Sequence, residues 1–319
     1  MRRRTTTPDW TCADVPDLRG RTAVVTGANS GLGFETARIL AERGAAVVLA
    51  CRTVDKAVAA TVRIRETAPT AELHVVRLDL MSLAAVREAA EKIRANHDRI
   101  DLLINNAGTT QVQRVRTVDG FEATFATNHL GPFAFTGLLF DRLAAVPGAR
   151  IVTVSSATHR YGAIAFGDLH FERRKYHYMF AYIQSKLANL LFTFELQRRL
   201  TAAGSRVVSV AAHPGVAKTQ WAHRATAGVR ILVTAPPLQP LISLVQQPAA
   251  AGALAIVRAA VDPQVAGGEF YGPSGLFGLK GYPVLTEPAR QALDVRTQQR
   301  LWRESERLTG IEYPNGIQH

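Results

Sequence analysis

The run Val24-Val25-Thr26-Gly27-Ala28-Asn29-Ser30-Gly31-Leu32-Gly33 constrains this chain more than any other feature. A β-branched stretch, Thr22 to Thr26, enters three closely spaced glycines and leaves as a helical pattern, Leu32 to Arg43. Gly27 permits a tight turn off the strand, Gly31 lets the backbone approach a pyrophosphate, and Gly33 allows the helix to pack closely on the strand. The free N–H groups and positive dipole end of that helix attract phosphate. A glycine-rich turn alone is a weak signal, because a tight turn needs no ligand. Its position between a strand and a helix makes it specific. The turn as a whole, Gly27, Asn29, Ser30, Gly31, Leu32 and Gly33, is the expected phosphate cradle.

The alternation continues along the chain. Strands are predicted at Ala46 to Ala50, Leu73 to Leu78, Leu102 to Asn105, Arg150 to Val154 and Val207 to Ala211, with a last short one starting at Phe270-Tyr271. Helices are predicted at Thr53 to Thr67, from the Ser82 cap to Asn96, at Phe121 to Leu143, Met179 to Ala203 and Gln247 to Ala260. Continuous apolar strands alternating with helices imply parallel pairing with both sheet faces covered. The predicted fold is a doubly wound parallel sheet (a Rossmann fold) in one catalytic domain, residues 19–319, with a C-terminal extension. Residues 1–18 read as a flexible arm and residues 216–248, rich in proline and apolar side chains, as a substrate lid.

Composition limits the partners. Hydrophobic residues make up 47% of 319, enough for a sizeable core. No apolar run reaches the roughly 18 residues of a membrane span. The longest candidate, Val229 to Val245, is interrupted by Arg230, Pro236, Pro237 and Pro240, and reads as a greasy lid or a membrane-touching segment. Arg2-Arg3-Arg4 is followed by Thr5 to Asp9 with no apolar core, so a secretory signal is not expected. Cys12 and Cys51 make neither a disulfide framework nor a metal site, which suits a reducing cytoplasm. The net charge of +12 comes from scattered arginines such as Arg63, Arg94, Arg198 and Arg303. It reads as a solvated surface that also welcomes an anionic cofactor, with no nucleic-acid partner expected.

Strand two ends in Cys51-Arg52 where an acidic residue would favour NAD. A guanidinium there can pair a 2′-phosphate, so NADP(H) is the expected cofactor; the plainer reading of Arg52 is a solvated loop arginine. Downstream of Ser155-Ser156, Tyr182 and Lys186 stand at helical i, i+4 spacing on one helix face. A phenol with a pKa near ~10 is a poor base, and a neighbouring ammonium is expected to lower it. His159, His170 and His177 lie in the intervening segment without an acidic cluster, and are expected to be solvated or packed on aromatics rather than metal-bound.

These motifs, with Asp79-Leu80, Asn105-Asn106-Ala107-Gly108 and His213-Pro214-Gly215 after later strands, resemble the short-chain dehydrogenase/reductase family over residues 20–260. Ala50-Cys51-Arg52, Asn128-His129-Leu130-Gly131 and Tyr182 through Asn189 are similar to its retinol-dehydrogenase-like branch, and Tyr271-Gly272-Pro273 with Gly281-Tyr282-Pro283 to bacterial members of it. The resemblance implies that Tyr182 is the general acid/base, that Ser156 orients the carbonyl, and that Asn128 holds a relay water reaching Lys186. It implies that Asp79 and Leu80 face the adenine, that Asn106, Ala107 and Gly108 line the ribose, and that Pro214, Gly215, Val216 and Thr219 hold the nicotinamide and pyrophosphate, with Tyr182 and Lys186 also touching cofactor. Asp79 could instead be a helix-terminal charge. Ser155 reads as structural. Thr153 departs from the family pattern, which often has Asn there; altered local bonding without loss of chemistry is expected.

The implied activity is NADPH-dependent interconversion of carbonyl and alcohol on a lipophilic small molecule. The alternative is a dinucleotide-sensing regulatory protein on the same fold without turnover. Pairing of the helices carrying Asn128 and Tyr182 into a homodimer or homotetramer is left open.

Overall fold

The computed structural model describes residues 9–216 and 246–314. The expected alternation is built as β1 (Thr22–Thr26), α1 (Gly31–Glu42), β2 (Ala46–Cys51), α2 (Val54–Arg65), β3 (Leu73–Arg77), α3 (Leu83–Asn96) and β4 (Leu102–Asn105). Then come α4 (Gly131–Leu138), α5 (Phe140–Ala144), β5 (Arg150–Val154), α6 (Tyr178–Ala202), β6 (Val208–Ala212) and α7 (Ala249–Val261). β7 (Phe270–Pro273), β8 (Pro283–Leu285) and α8 (Val295–Thr309) complete the described elements.

The strands form one eight-stranded sheet in the order β3-β2-β1-β4-β5-β6-β7-β8. All neighbours are parallel except β8, which pairs antiparallel with β7. The order reverses between β1 and β4, and such a switch point opens a crevice at the carboxyl ends of the strands. One face is covered by α1, α2 and α7, whose Ile39, Ile64 and Ile256 pack on Val25, Val47 and Val152. The other is covered by α3, α4 and α6, whose Ile93, Phe133 and Leu196 pack on Val24, Leu103 and Ile151.

Two expectations are corrected. The arm expected over residues 1–18 is packed in its described part: Trp10, Val15 and Leu18 are buried in the core beside α1, and Leu18 N–H donates to Arg43 O at 2.8 Å. Apolar side chains anchor it where the polar context suggested a loose end. The helix expected from Phe121 to Leu143 is broken into a turn at Ala123–Phe125, a π-helical segment Ala126–Leu130, α4 and α5. Pro132 lacks the N–H that would bond the Asn128 carbonyl four residues earlier, and Gly131 N–H bonds Ala126 O five residues back. The C-terminal extension holds a helix, α8, with an Asp294 cap accepting from Thr297 N–H at 3.1 Å and a left-handed Gly310 at its end. Trp302 and Tyr313 close on Phe133 of α4, with ring centroids 5.1 Å away in each case. The lid segment, where described, contributes only residue 216 and residues 246–248; the remainder, with Thr219, lies outside the described residues.

Candidate active site

The turn after β1 is braced from behind. Thr26 Oγ1 accepts from the N–H groups of Asn106 and Ala107 at 3.0 and 2.9 Å, and the Asn106 side-chain amide donates to Thr26 O at 2.8 Å. Gly27 has φ +69°, a conformation costly for any residue with a Cβ. At Gly33 the constraint is contact: a Cβ would lie 2.4 Å from both Gly27 O and Asn106 Nδ2. Ser30 is the N-cap of α1 but its side chain makes no capping hydrogen bond, so it leaves the first amides of the helix free of a side-chain cap.

Gly27 and Asn29 line a cleft with Arg52, Asp79, Leu80, Met81, Ala107, Gly108, Thr109 and Thr127. Most of the sequence-predicted cofactor residues of the first four strands thus come together. Asn106 does not line the cleft as expected, because its amide is committed to Thr26. Met81, Thr109 and Thr127 were missed; the first two directly follow recognised motifs, while Thr127 carries no signal of its own. Arg52 is exposed, and its guanidinium reaches only the Met81 thioether at 3.9 Å. Among the described residues no carboxylate pairs with it, so it presents an uncompensated cation to the cleft. Asp79 Oδ1 accepts from Met81 N–H at 3.0 Å, stiffening the turn that lines the cleft. Behind Arg52, burial pushes the Cys51 thiol up to about 11, leaving it protonated.

The second cluster lies beyond Gly108. A Cβ on Gly108 would be 3.4 Å from both Lys186 Nζ and Asn128 Oδ1, so the cleft runs into the expected proton-handling residues. Lys186 is buried and its Nζ donates to Val154 O at 3.0 Å. Asn128 spends its whole side chain on neighbours: Oδ1 accepts from Thr109 N–H at 2.7 Å, and Nδ2 donates to Thr109 O and Ser185 Oγ at 3.0 and 2.9 Å. Ser155 Oγ donates to Lys186 O at 2.7 Å, tying β5 to α6. Ser156 begins a 3₁₀ turn and its Oγ accepts from the Thr158 hydroxyl at 3.0 Å, which leaves its own proton free for another acceptor.

The Tyr182 phenol is half-buried and lies close enough to the Ser156 hydroxyl for that group to favour its ionised form. The expected downward shift of its pKa is not found. Burial raises it and outweighs the opposing influence of Ser156, while burial lowers Lys186 to about 8. Lys186 Nζ stands 5.7 Å from the Tyr182 ring centroid, and lost hydration is the larger influence on the phenol. Tyr182 is therefore a protonated phenol at neutral pH.

Pro214, Gly215 and Val216 follow β6, outside the lining of the first cleft. Gln247 fastens them by donating to Pro214 O at 2.7 Å. His159 Nδ1 bonds Ser156 O at 2.7 Å and its ring packs on Phe270. His170 packs against Phe121, and His177 stacks on Tyr178. Among the described residues no group of three His, Cys, Asp or Glu side chains is placed to hold a metal ion, and no helix is long and apolar enough to cross a membrane.

Comparison with known proteins identifies the family. Residues 21–230 match the family described as short chain dehydrogenase. Human retinol dehydrogenase 13 is 41% identical over 307 residues, 95% of this chain and 89% of that protein. The crystal structure of an uncharacterized protein from Mycobacterium Paratuberculosis is 42% identical, covers 96% of this chain and 99% of its own, and superposes with a TM-score of 0.79. The Pseudomonas aeruginosa RhlG/NADP active-site complex shares the fold at 23% identity and a TM-score of 0.61, covering 80% of this chain and 94% of its own. The chain belongs to the short-chain dehydrogenase/reductase family of oxidoreductases, in its retinol-dehydrogenase-like branch.

Proposed function

We propose that this protein is an NADP(H)-dependent oxidoreductase that interconverts a carbonyl and an alcohol on a lipophilic small molecule. The reading is carried by one observation: Ser156, Tyr182 and Lys186 converge where a glycine-walled cleft bearing an uncompensated Arg52 comes to an end. The cradle fits a dinucleotide, because Gly33 admits no Cβ and Arg52 offers a planar donor fork to a 2′-phosphate. The main-chain amides at the start of α1 would hold the pyrophosphate, and Asp79, Leu80, Ala107 and Gly108 would flank the adenosine. The segment Pro214–Val216, with Thr219, would hold the far end. When bound, the nicotinamide supplies or accepts the hydride.

The chain's own residues handle the proton. Tyr182, protonated at neutral pH, donates to the carbonyl oxygen during reduction and accepts in the reverse direction. Ser156 donates its free hydroxyl proton to the same oxygen and fixes its position. Lys186, anchored on Val154 O, replaces the Tyr182 proton through a water held at the Asn128 carbonyl, which Pro132 leaves without its helical donor. The segment between Ser156 and Tyr182 carries Tyr161 and Phe180, 82% and 61% exposed, apolar surface close in sequence to the reacting residues that supports a lipophilic substrate.

The test is NADPH and NADH consumption by purified protein with retinal and a panel of lipophilic ketones. Tyr182→Phe should cut turnover by roughly 10²–10⁴-fold with NADPH affinity preserved; retained turnover removes the general-acid role. Tight NADPH binding with no turnover on any carbonyl favours a dinucleotide sensor.

A further inference from the structure

Side chains alternate across a strand. On β5, Val152 and Val154 enter the core beneath α1 and α7, while Ile151 enters the core beneath α4 and α6. Thr153 shares the side of Ile151. On β4, Leu103 faces that side, and Asn105 follows its parity, with Nδ2 donating to Thr136 Oγ1 of α4 at 2.9 Å. Asn105 and Thr153 are register partners on adjacent strands. Asn189 reaches the same layer from α6, its Nδ2 donating to Val154 O at 3.0 Å. That carbonyl also anchors Lys186.

All three residues are at least 97% buried, and each holds one polar atom without a partner among the described residues: Asn105 Oδ1, Thr153 Oγ1 and Asn189 Oδ1. Buried polar atoms are almost always satisfied. The two amide oxygens can only accept, while the hydroxyl has a proton to give. Their shared complement has two donors and one acceptor, which is a water molecule.

We propose that one buried water sits between Asn105, Thr153 and Asn189. It donates to the two amide oxygens and accepts from the Thr153 hydroxyl. The site follows from threonine at position 153: an asparagine there, frequent in the family's pattern, would carry its own amide donors into this layer. The water holds the Asn189 amide with its NH₂ toward Val154 O, beside Lys186. The site depends on neither substrate nor cofactor.

A crystal structure of the unliganded full chain at high resolution tests it directly. Ordered density within ~2.7–3.2 Å of all three atoms is expected. In Thr153→Asn the new amide should replace that density. Thr153→Val keeps the shape and removes the hydroxyl, so the thermal midpoint should fall by roughly 2–4 °C. Direct bonding among the three side chains without solvent, persistence of the water in Thr153→Asn, or an unchanged midpoint in Thr153→Val would each overturn the proposal.

Discussion

Acid should unfold this protein early, through three histidines that the fold keeps neutral. Burial lowers His129 and His213 to about 3 and His159 to about 4. Their bonding explains why a second proton is unwelcome. Ser305 gives its proton to Leu301 O, so His129 must donate from Nε2, and its Nδ1 is buried in an aromatic cluster. His159 donates from Nδ1 to Ser156 O and accepts Ala289 N–H at Nε2. Folded values below the unfolded value of about 6.5 mean that the unfolded chain binds more protons between them. The stability these groups permit is complete above pH ~6.5 and is lost as pH falls towards their folded values. Between pH 7 and 5 each histidine removes about 2 kcal/mol, so together about 6 kcal/mol, against a typical total of 5–15. Glu306, raised by burial, acts in the opposite sense, but one group cannot cancel three. Urea unfolding followed by tryptophan fluorescence at pH 7, 6 and 5 measures the slope. His159→Gln should reduce it by about one proton. A loss below ~2 kcal/mol over this range would refute the assignment of three buried neutral imidazoles.

Three further substitutions test the cleft and the C-terminal helix. Arg52→Ala should weaken NADPH by roughly 10–100-fold in calorimetric titration and NADH by far less; equal losses would mean that Arg52 touches no 2′-phosphate. Gly33→Ala forces a methyl to 2.4 Å from Gly27 O, which should cost ~1–3 kcal/mol and lower dinucleotide affinity as well, and unchanged binding would argue against a cradle at this turn. Trp302→Ala should cost roughly 3–5 kcal/mol in denaturant unfolding, because the ring is 2% exposed and packed on Phe133, Phe192 and Tyr313; a cost below ~1 kcal/mol would show that α8 is a loose appendage.

The central sheet was legible because its strands are short apolar runs punctuated by Gly, Pro and capping residues. β4 and β5 have the predicted bounds, and Ser82 caps α3 as read, accepting from Ala85 N–H. The motifs of the cleft were legible because they sit at strand ends, where backbone geometry leaves few residue types. What escaped depends on tertiary context. α8 is mostly polar and charged, with Leu301 and Trp302 carrying the apolar burial, so a core helix looked like surface, although Asp294 and Gly310 were readable caps. Trp10, Val15 and Leu18 stand too far apart to show periodicity, yet each finds the sheet's margin. The pKa of Tyr182 went the other way because spacing along a helix fixes proximity, not the balance between an ammonium and lost hydration.

The closure of α8 over α4 and α6 has a consequence for assembly. The helix that carries Tyr182 and Lys186 cannot shield its outer surface until residues 295–313 have left the ribosome. A nascent chain that already contains every residue assigned to proton handling would still expose the outer edges of Phe133 and Phe192 to solvent. Competence of the site is thereby tied to a stretch of chain more than a hundred residues downstream of Lys186, and products truncated before α8 would be recognised by their greasy flank rather than by a missing reactive group.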